Sequence, residues 1–168
     1  MSSIVLDSDG LIKVAKAGLL EALAGRFSCL IAEEVYHEVV VAGIRDGHAE
    51  AAEIEALLHS GAIKRPPIAP RGRLPSDWPS GVLGSGEEGT YRLFKGESNR
   101  VILTDDRAFL RYLGRRGDAC LTPTAALVRL HELGVVTPAS GLLALDRLKP
   151  LVRADAYLFA KSLLEKKT

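Results

Sequence analysis

Two stretches of the chain share one grammar. Ile4-Val5-Leu6 is an apolar run that gives way at once to Asp7-Ser8-Asp9-Gly10. Val101-Ile102-Leu103 gives way in the same manner to Thr104-Asp105-Asp106. A short apolar run without alternation reads as a strand buried on both faces, and the acids behind it read as a turn. In open α/β sheets, ligands bind beyond the carboxyl ends of the strands. Asp7, Asp9, Asp105 and Asp106 are therefore placed where such a sheet does its chemistry. Two more groups of acids can join them. Glu38 falls one turn into the helix expected after the second strand, and Glu34 shares its face. Glu87 and Glu88 fall in the first turn of a helix that starts behind Gly84-Ser85-Gly86, with Ser85 as the expected N-cap. Acids in a first turn are also favoured by the helix dipole alone. Of Asp105 and Asp106, one is expected to point into the site and the other to cap a helix. The spacing leaves open which.

Crowded carboxylates raise one another's pKa values unless a cation stands among them. No lysine is expected at these positions, so a hard divalent ion with oxygen ligands, Mg²⁺ or Mn²⁺, is the natural partner. The candidate metal residues are Asp7, Asp9, Glu87, Glu88, Asp105 and Asp106, and the candidate catalytic set is Asp7, Glu38, Glu87 and Asp106. Such an ion activates water and stabilises an in-line phosphoryl displacement. Other chemistries lack their residues. There is no GxxxxGK phosphate loop, no GxSxG and no HExxH. His37, His48, His59 and His131 sit on expected helices among charged neighbours and read as surface residues. Cys29 and Cys120 have no CxxC spacing and apolar surroundings, so both read as buried thiols.

The elements that must position these acids alternate along the chain. A first helix is expected from about Gly10 to Ala24, with Gly25 as its stop. Phe27 to Ile31 is a second strand candidate. Ala32-Glu33-Glu34 opens a second helix that Gly43 to Gly47 breaks, and a third runs from His48 to His59. Ala62-Ile63-Lys64 is a short strand candidate. Asp118 to Leu121 is another, and Pro123 then starts a helix at the position proline tolerates. Ala139 to Leu148 and Val152 to Leu164 close the chain as helices. Alternation of helices with non-alternating apolar runs indicates a three-layer α/β/α sandwich around a parallel sheet. Arg65 to Gly86 stands apart. It holds five of the eight prolines with Arg71, Arg73 and the only tryptophan, Trp78. Two uses fit it: an ordered crossover with Trp78 tucked against the body, or a basic flap near the site.

The 168 residues suit a single domain, 3–148 as its core and 149–168 as a C-terminal helical extension. A net charge of +1 argues against a general polyanion binder and leaves room for a local basic face. No segment has the build of a signal peptide or approaches the ~20 apolar residues of a membrane span. The expectation is a cytoplasmic protein. The apolar residues Leu142, Leu143, Leu145, Tyr157, Leu158 and Phe159 could pack a homodimer, although a covered core is the expected use.

IVLDSDGLI, AEEVYHEVV, GSGEE and VILTDDRAFLRYL, in this order, resemble the PIN domain family over residues 3 to 148. The resemblance is closest to small prokaryotic members, including the toxins of VapBC-type toxin–antitoxin pairs and their stand-alone relatives. It implies a metal-dependent ribonuclease with three or four acids around Mg²⁺ or Mn²⁺. By motif these are Asp7, Glu38, Glu87 or its neighbour Glu88, and Asp106 or Asp105. It also implies a small antitoxin protein as a partner. Nucleic-acid or partner binding with little catalysis is the alternative. A receiver domain, which also gathers acids at strand ends, would need a lysine late in the sheet, and Asp118 to Thr122 holds none. A carboxylate site needs cations around it to hold a polyanion. Candidates are Arg71, Arg73, Arg92, Arg107, Arg111, Arg115 and Arg116, with Arg107 and Arg111 four apart on one helix face. A recessed site favours single-stranded RNA, whose backbone is flexible.

Overall fold

The structure, a computed structural model, describes residues 3–67, 72–96 and 98–166. Chain order runs β1 (Ser3–Leu6), α1 (Ser8–Lys16), α2 (Leu20–Arg26) and β2 (Ser28–Leu30). Helix α3 (Glu33–Val35) then passes through a π-helical stretch, Tyr36–Val41, into α4 (Ala42–Arg45). Next come α5 (Ala49–His59), β3 (Ile63–Lys64), α6 (Ser85–Lys95), β4 (Arg100–Leu103), α7 (Arg107–Arg116) and β5 (Cys120–Leu121). The chain closes with α8 (Pro123–Glu132), α9 (Pro138–Leu148) and α10 (Ala154–Leu164). The five strands form one parallel sheet in the order β3-β2-β1-β4-β5. Successive strand residues point to opposite faces. Ile4, Val5 and Leu6 are all buried, so helices cover both faces of β1. The result is the expected α/β/α sandwich with a parallel sheet.

Register places the two acid turns side by side. Leu6 pairs with Leu103 across β1 and β4, and the Asp7 N–H donates to the Leu103 carbonyl at 3.0 Å. Asp7 and the Thr104-Asp105-Asp106 turn therefore leave the sheet at the same edge. Gly10 makes this possible. A Cβ there would lie 2.5 Å from both the Leu103 carbonyl oxygen and its Cδ2, so only glycine lets α1 lie so close over the end of β4.

The helices differ from expectation in two places. The first is two helices, not one. Gly18 takes a left-handed φ of +71° and separates α1 from α2, a conformation that costs glycine little. Leu19, Leu20 and Leu23 stay buried across the break, so the apolar period runs on and hides it. The second helix ends at Arg45 and turns at Asp46 and Gly47, inside the expected break from Gly43 to Gly47. Gly43 itself is buried, and a Cβ on it would meet the Ala51 Cβ at 2.9 Å, so it serves close packing of α4 on α5. The N-cap of α6 is Gly84, not Ser85.

The proline-rich segment is a tied crossover where it is described. Trp78 is buried with ring centroids 5.2 Å from Tyr91 and 5.1 Å from Tyr112. The Arg116 guanidinium donates through Nη1 to both Asp77 oxygens at 2.9 Å and through Nε to the Tyr91 hydroxyl at 3.1 Å. Tyr91 in turn donates to Asp118 at 2.9 Å. Arg71, one of the two expected basic residues of this segment, lies outside the described residues, and Arg73 is exposed.

The end of the chain splits. Leu145 and Tyr157 are buried, while Leu143, Leu158 and Phe159 are more than half exposed. Helix α10 packs on α8 and α9. Cys29 is buried, and burial pushes its thiol up to about 12. Cys120 is only half-buried, contrary to expectation, because its strand is the edge of the sheet.

Candidate active site

Asp7 stands at the N-cap position of α1 and does not cap it. Its side chain is 1 % exposed. Oδ2 accepts from the Thr104 hydroxyl at 2.8 Å. Oδ1 is buried with no hydrogen-bond partner among the described residues. A buried charge of this kind is costly unless it is matched. Burial accordingly pushes the Asp7 carboxyl up to about 7, and the charges of Glu87 and Asp9 push the same way. The Thr104 hydrogen bond and the Ser8 backbone amide pull it back only in part.

The acids expected to join Asp7 fare differently. The Ser8 hydroxyl donates to Glu38 Oε2 at 2.7 Å. A Cβ on Gly86 would lie 2.9 Å from that same oxygen, so Glu38 rests against the first turn of α6. It reaches there from the π-helical stretch. Such bulges shift the register of a helix face and recur at functional sites. Glu87 accepts from the Gly84 N–H at 2.9 Å through Oε2, and its charge bears on Asp7. Glu88 pairs instead with Arg92 at 2.8 Å, along α6. Asp106 caps α7, accepting from the Phe109 N–H at 2.7 Å. Asp105 takes the other role of its turn, and its partner is unexpected.

That partner is Lys13. Its Nζ lies 2.7 Å from Asp105 Oδ2 and 2.8 Å from Asp9 Oδ2. The expectation of an acidic edge without lysine is therefore wrong. Lys13 is three residues beyond Gly10 on α1, and only the close approach of α1 to β4 brings it to Asp105. Burial works against its charge, but the hydrogen bonds it donates to Asp105 and Asp9 outweigh this and hold its ammonium above the ordinary lysine value.

Sequence reasoning also passed over Thr104 and Ser8. Thr104 is fully buried and links both turns, donating to Asp7 and accepting from the Asp106 N–H at 3.2 Å. Glu34 presses its Oε2 against Gly89 on α6, and that oxygen too has no partner among the described residues. The i,i+4 spacing had placed Glu34 on the face of Glu38.

A cleft of about 780 Å³ opens beside this edge, lined by Lys13, Asp105, Arg107, Arg111 and the turn from Pro150 to Arg153. Arg107 and Arg111 are exposed. Arg153 is engaged by Asp155 at 3.0 and 2.5 Å.

A family model described as a PIN domain matches residues 3–151. The chain belongs to the PIN domain family. No curated protein and no solved structure matches it. PIN domains are generally metal-dependent nucleases. In this PIN domain, among the described residues, no three His, Cys, Asp or Glu side chains stand together closely enough to hold an ion as they are. Each acid of this edge leans on a partner from its own chain, and of these acids Asp7 alone keeps a buried oxygen without one among the described residues. The donor chemistry nonetheless fits a hard divalent ion. All the ligands on offer are oxygens, and the buried, unmatched Asp7 Oδ1 is the atom such a charge would relieve.

Proposed function

We propose that this PIN domain is a metal-dependent endoribonuclease that hydrolyses RNA phosphodiester bonds. The observation that carries the reading is Asp7. An acid held 1 % exposed at the carboxyl end of a central strand, with one oxygen unmatched and its pKa lifted to about 7, is costly to keep without a function. Mg²⁺ or Mn²⁺ would be held by Asp7, with Glu87, Glu38 and Asp106 around it. The ion supplies charge neutralisation and water activation when bound. The chain's own residues do the rest. Thr104 fixes Asp7 Oδ2 and so leaves Oδ1 as the donor. Ser8 holds Glu38 against the start of α6. Glu87 keeps negative charge beside Asp7 and so favours cation binding. Arg107 and Arg111 line the cleft and offer charge to the phosphates of a single strand.

The alternative is a nucleic-acid- or partner-binding module with little catalysis. The pairing of Asp105 with Lys13 and the lack of a converged triad among the described residues favour it. Cleavage of single-stranded RNA with Mn²⁺ separates the two. The nuclease reading expects turnover by the native chain and a loss of at least ~100-fold in Asp7→Asn, since loss of a ligand exceeds the effect of losing its outer partners. It also expects Asp7→Asn to retain RNA binding. Equal cleavage by both proteins would reject it.

We extend the proposal to the toxin of a type II pair acting in the cytoplasm. Among the described residues no helix is long and apolar enough to cross a membrane. Co-purification of the native chain with the product of a neighbouring small reading frame, and suppression of cleavage by it, is the expected outcome for a toxin. Full activity with no such partner indicates a stand-alone enzyme.

A further inference from the structure

Lys13 changes the charge arithmetic of the site. Six carboxylates gather at this sheet edge: Asp7, Asp9, Glu38, Glu87, Asp105 and Asp106. Two of them, Asp9 and Asp105, share one ammonium. Asp9 comes from the first strand-to-acid turn and Asp105 from the second, so Lys13 ties the turns together. Its side chain is 15 % exposed and that of Asp105 is 13 % exposed. The pair is thus largely shielded from solvent, where charges act on one another at higher strength. The bonds are short and the ammonium is directional, with two of its three N–H donors committed. Asp7, by contrast, is paired with no cation among the described residues. Glu87 and Asp9 only add negative charge to it.

We infer that Lys13 is a resident cation that takes the place of a second metal ion. It claims Asp9 and Asp105 and limits the site to one divalent ion on the Asp7–Glu87 side. The inference rests on the metal-dependent reading above. Two-metal sites hold their ions ~3.5–4 Å apart between shared carboxylates. A second ion at Asp9 and Asp105 would have to expel Lys13 and leave a shielded ammonium without a partner. Alternatively it would stand against that ammonium's charge. Neither is favoured while Lys13 is present. Lys13 is therefore a positioning residue, and Asp105 is not a metal ligand in the native chain.

The test counts ions and does not depend on turnover. Mn²⁺ bound per chain is measured by calorimetry and by loss of the free Mn²⁺ resonance signal. The full chain is compared with Lys13→Met and Lys13→Arg, each checked for native circular dichroism. One ion is expected for the native protein and for Lys13→Arg, which keeps the charge, and two for Lys13→Met. Adding Asp105→Asn to Lys13→Met should return the count to one. A single Asp105→Asn change with Lys13 intact keeps the amide oxygen as an acceptor for the ammonium. It should still bind one ion, which makes the inference testable even if Lys13→Met does not fold. Two ions in the native chain, one in folded Lys13→Met, or none in Asp105→Asn would each overturn it. No ion in the native chain would instead reject the metal-dependent reading, and the inference with it.

Discussion

Asp7 and Asp105 leave the sheet from neighbouring strands whose last residues, Leu6 and Leu103, are paired. Each follows an apolar run and precedes a helix. One acid is held without a cation and has an unmatched oxygen. The other lies 2.7 Å from a lysine. The difference comes from what reaches each turn in space. Thr104 offers Asp7 one hydroxyl, whereas Asp105 meets a full charge from α1. Two turns of the same sequence grammar thus end differently, one acid with an unpartnered oxygen and the other paired with an ammonium. On the proposed reading, only the first would take an added ion.

The largest effect that could break this comparison is the dependence of stability on pH. Asp7 has an ordinary value near 3.8 and is lifted to about 7 in the fold. Below pH 3.8 both states carry the proton. Between 3.8 and about 7 the unfolded chain releases a proton that the folded chain retains, so stability falls as pH rises. Above pH 7 the loss stands at about 4 kcal/mol, from ~1.4 kcal/mol per unit. Chemical denaturation in chelator at pH 5 and pH 8 should show this fall, and Asp7→Asn should remove it. A flat profile for the native protein would mean that Asp7 is matched after all.

Slightly smaller is the cost of separating the turns. Gly10→Ala forces α1 away from the Leu103 backbone, which cannot yield as a side chain could. About 3 kcal/mol of stability should be lost, with weaker Mn²⁺ binding in whatever protein remains folded. An unchanged melting temperature would show that the two turns are not held at this distance.

Thr104→Val keeps the shape and removes the bridge. Asp7 Oδ2 and the Asp106 N–H both lose a partner, at a cost of about 2 kcal/mol. Asp7 should then titrate higher still, and added Mn²⁺ should recover part of the lost stability. Equal losses with and without Mn²⁺ would place Thr104 in the core alone, with no part in the site.

Much of this was readable in the sequence. Buried parallel strands are apolar on both faces, so Ile4-Val5-Leu6 and Val101-Ile102-Leu103 announced themselves, and so did the acids behind them. The shared edge followed from parallel pairing. Lys13 was readable only in part. Its i,i+4 relation to Asp9 lies in the sequence, but its contact with Asp105 depends on the register of β1 against β4 and on Gly10. Nothing in Tyr36–Val41 signals a π-helical register. The break at Gly18 was hidden because Leu19, Leu20 and Leu23 carry the apolar pattern past it. Glu87 and Glu88 are adjacent and alike in sequence. Only the placement of Arg92 one turn beyond Glu88 separates their roles, and that i,i+4 pair could have been used.

The smallest expected effect concerns the cleft. Arg107→Ala with Arg111→Ala should weaken single-stranded RNA binding and leave Mn²⁺ binding unchanged. If each arginine meets one phosphate, the slope of log K against log salt should fall by about 1.4. An unchanged slope would move the RNA off this side of the site.

The most direct measurement is the titration of the Asp7 carboxyl itself by carbon-detected NMR, with and without Mg²⁺, assigned through Asp7→Asn. The account predicts a midpoint near 7 in chelator, shifted well down by Mg²⁺, while the Asp105 signal is unmoved by the ion. An Asp7 midpoint near 3.8 that ignores Mg²⁺ would contradict it.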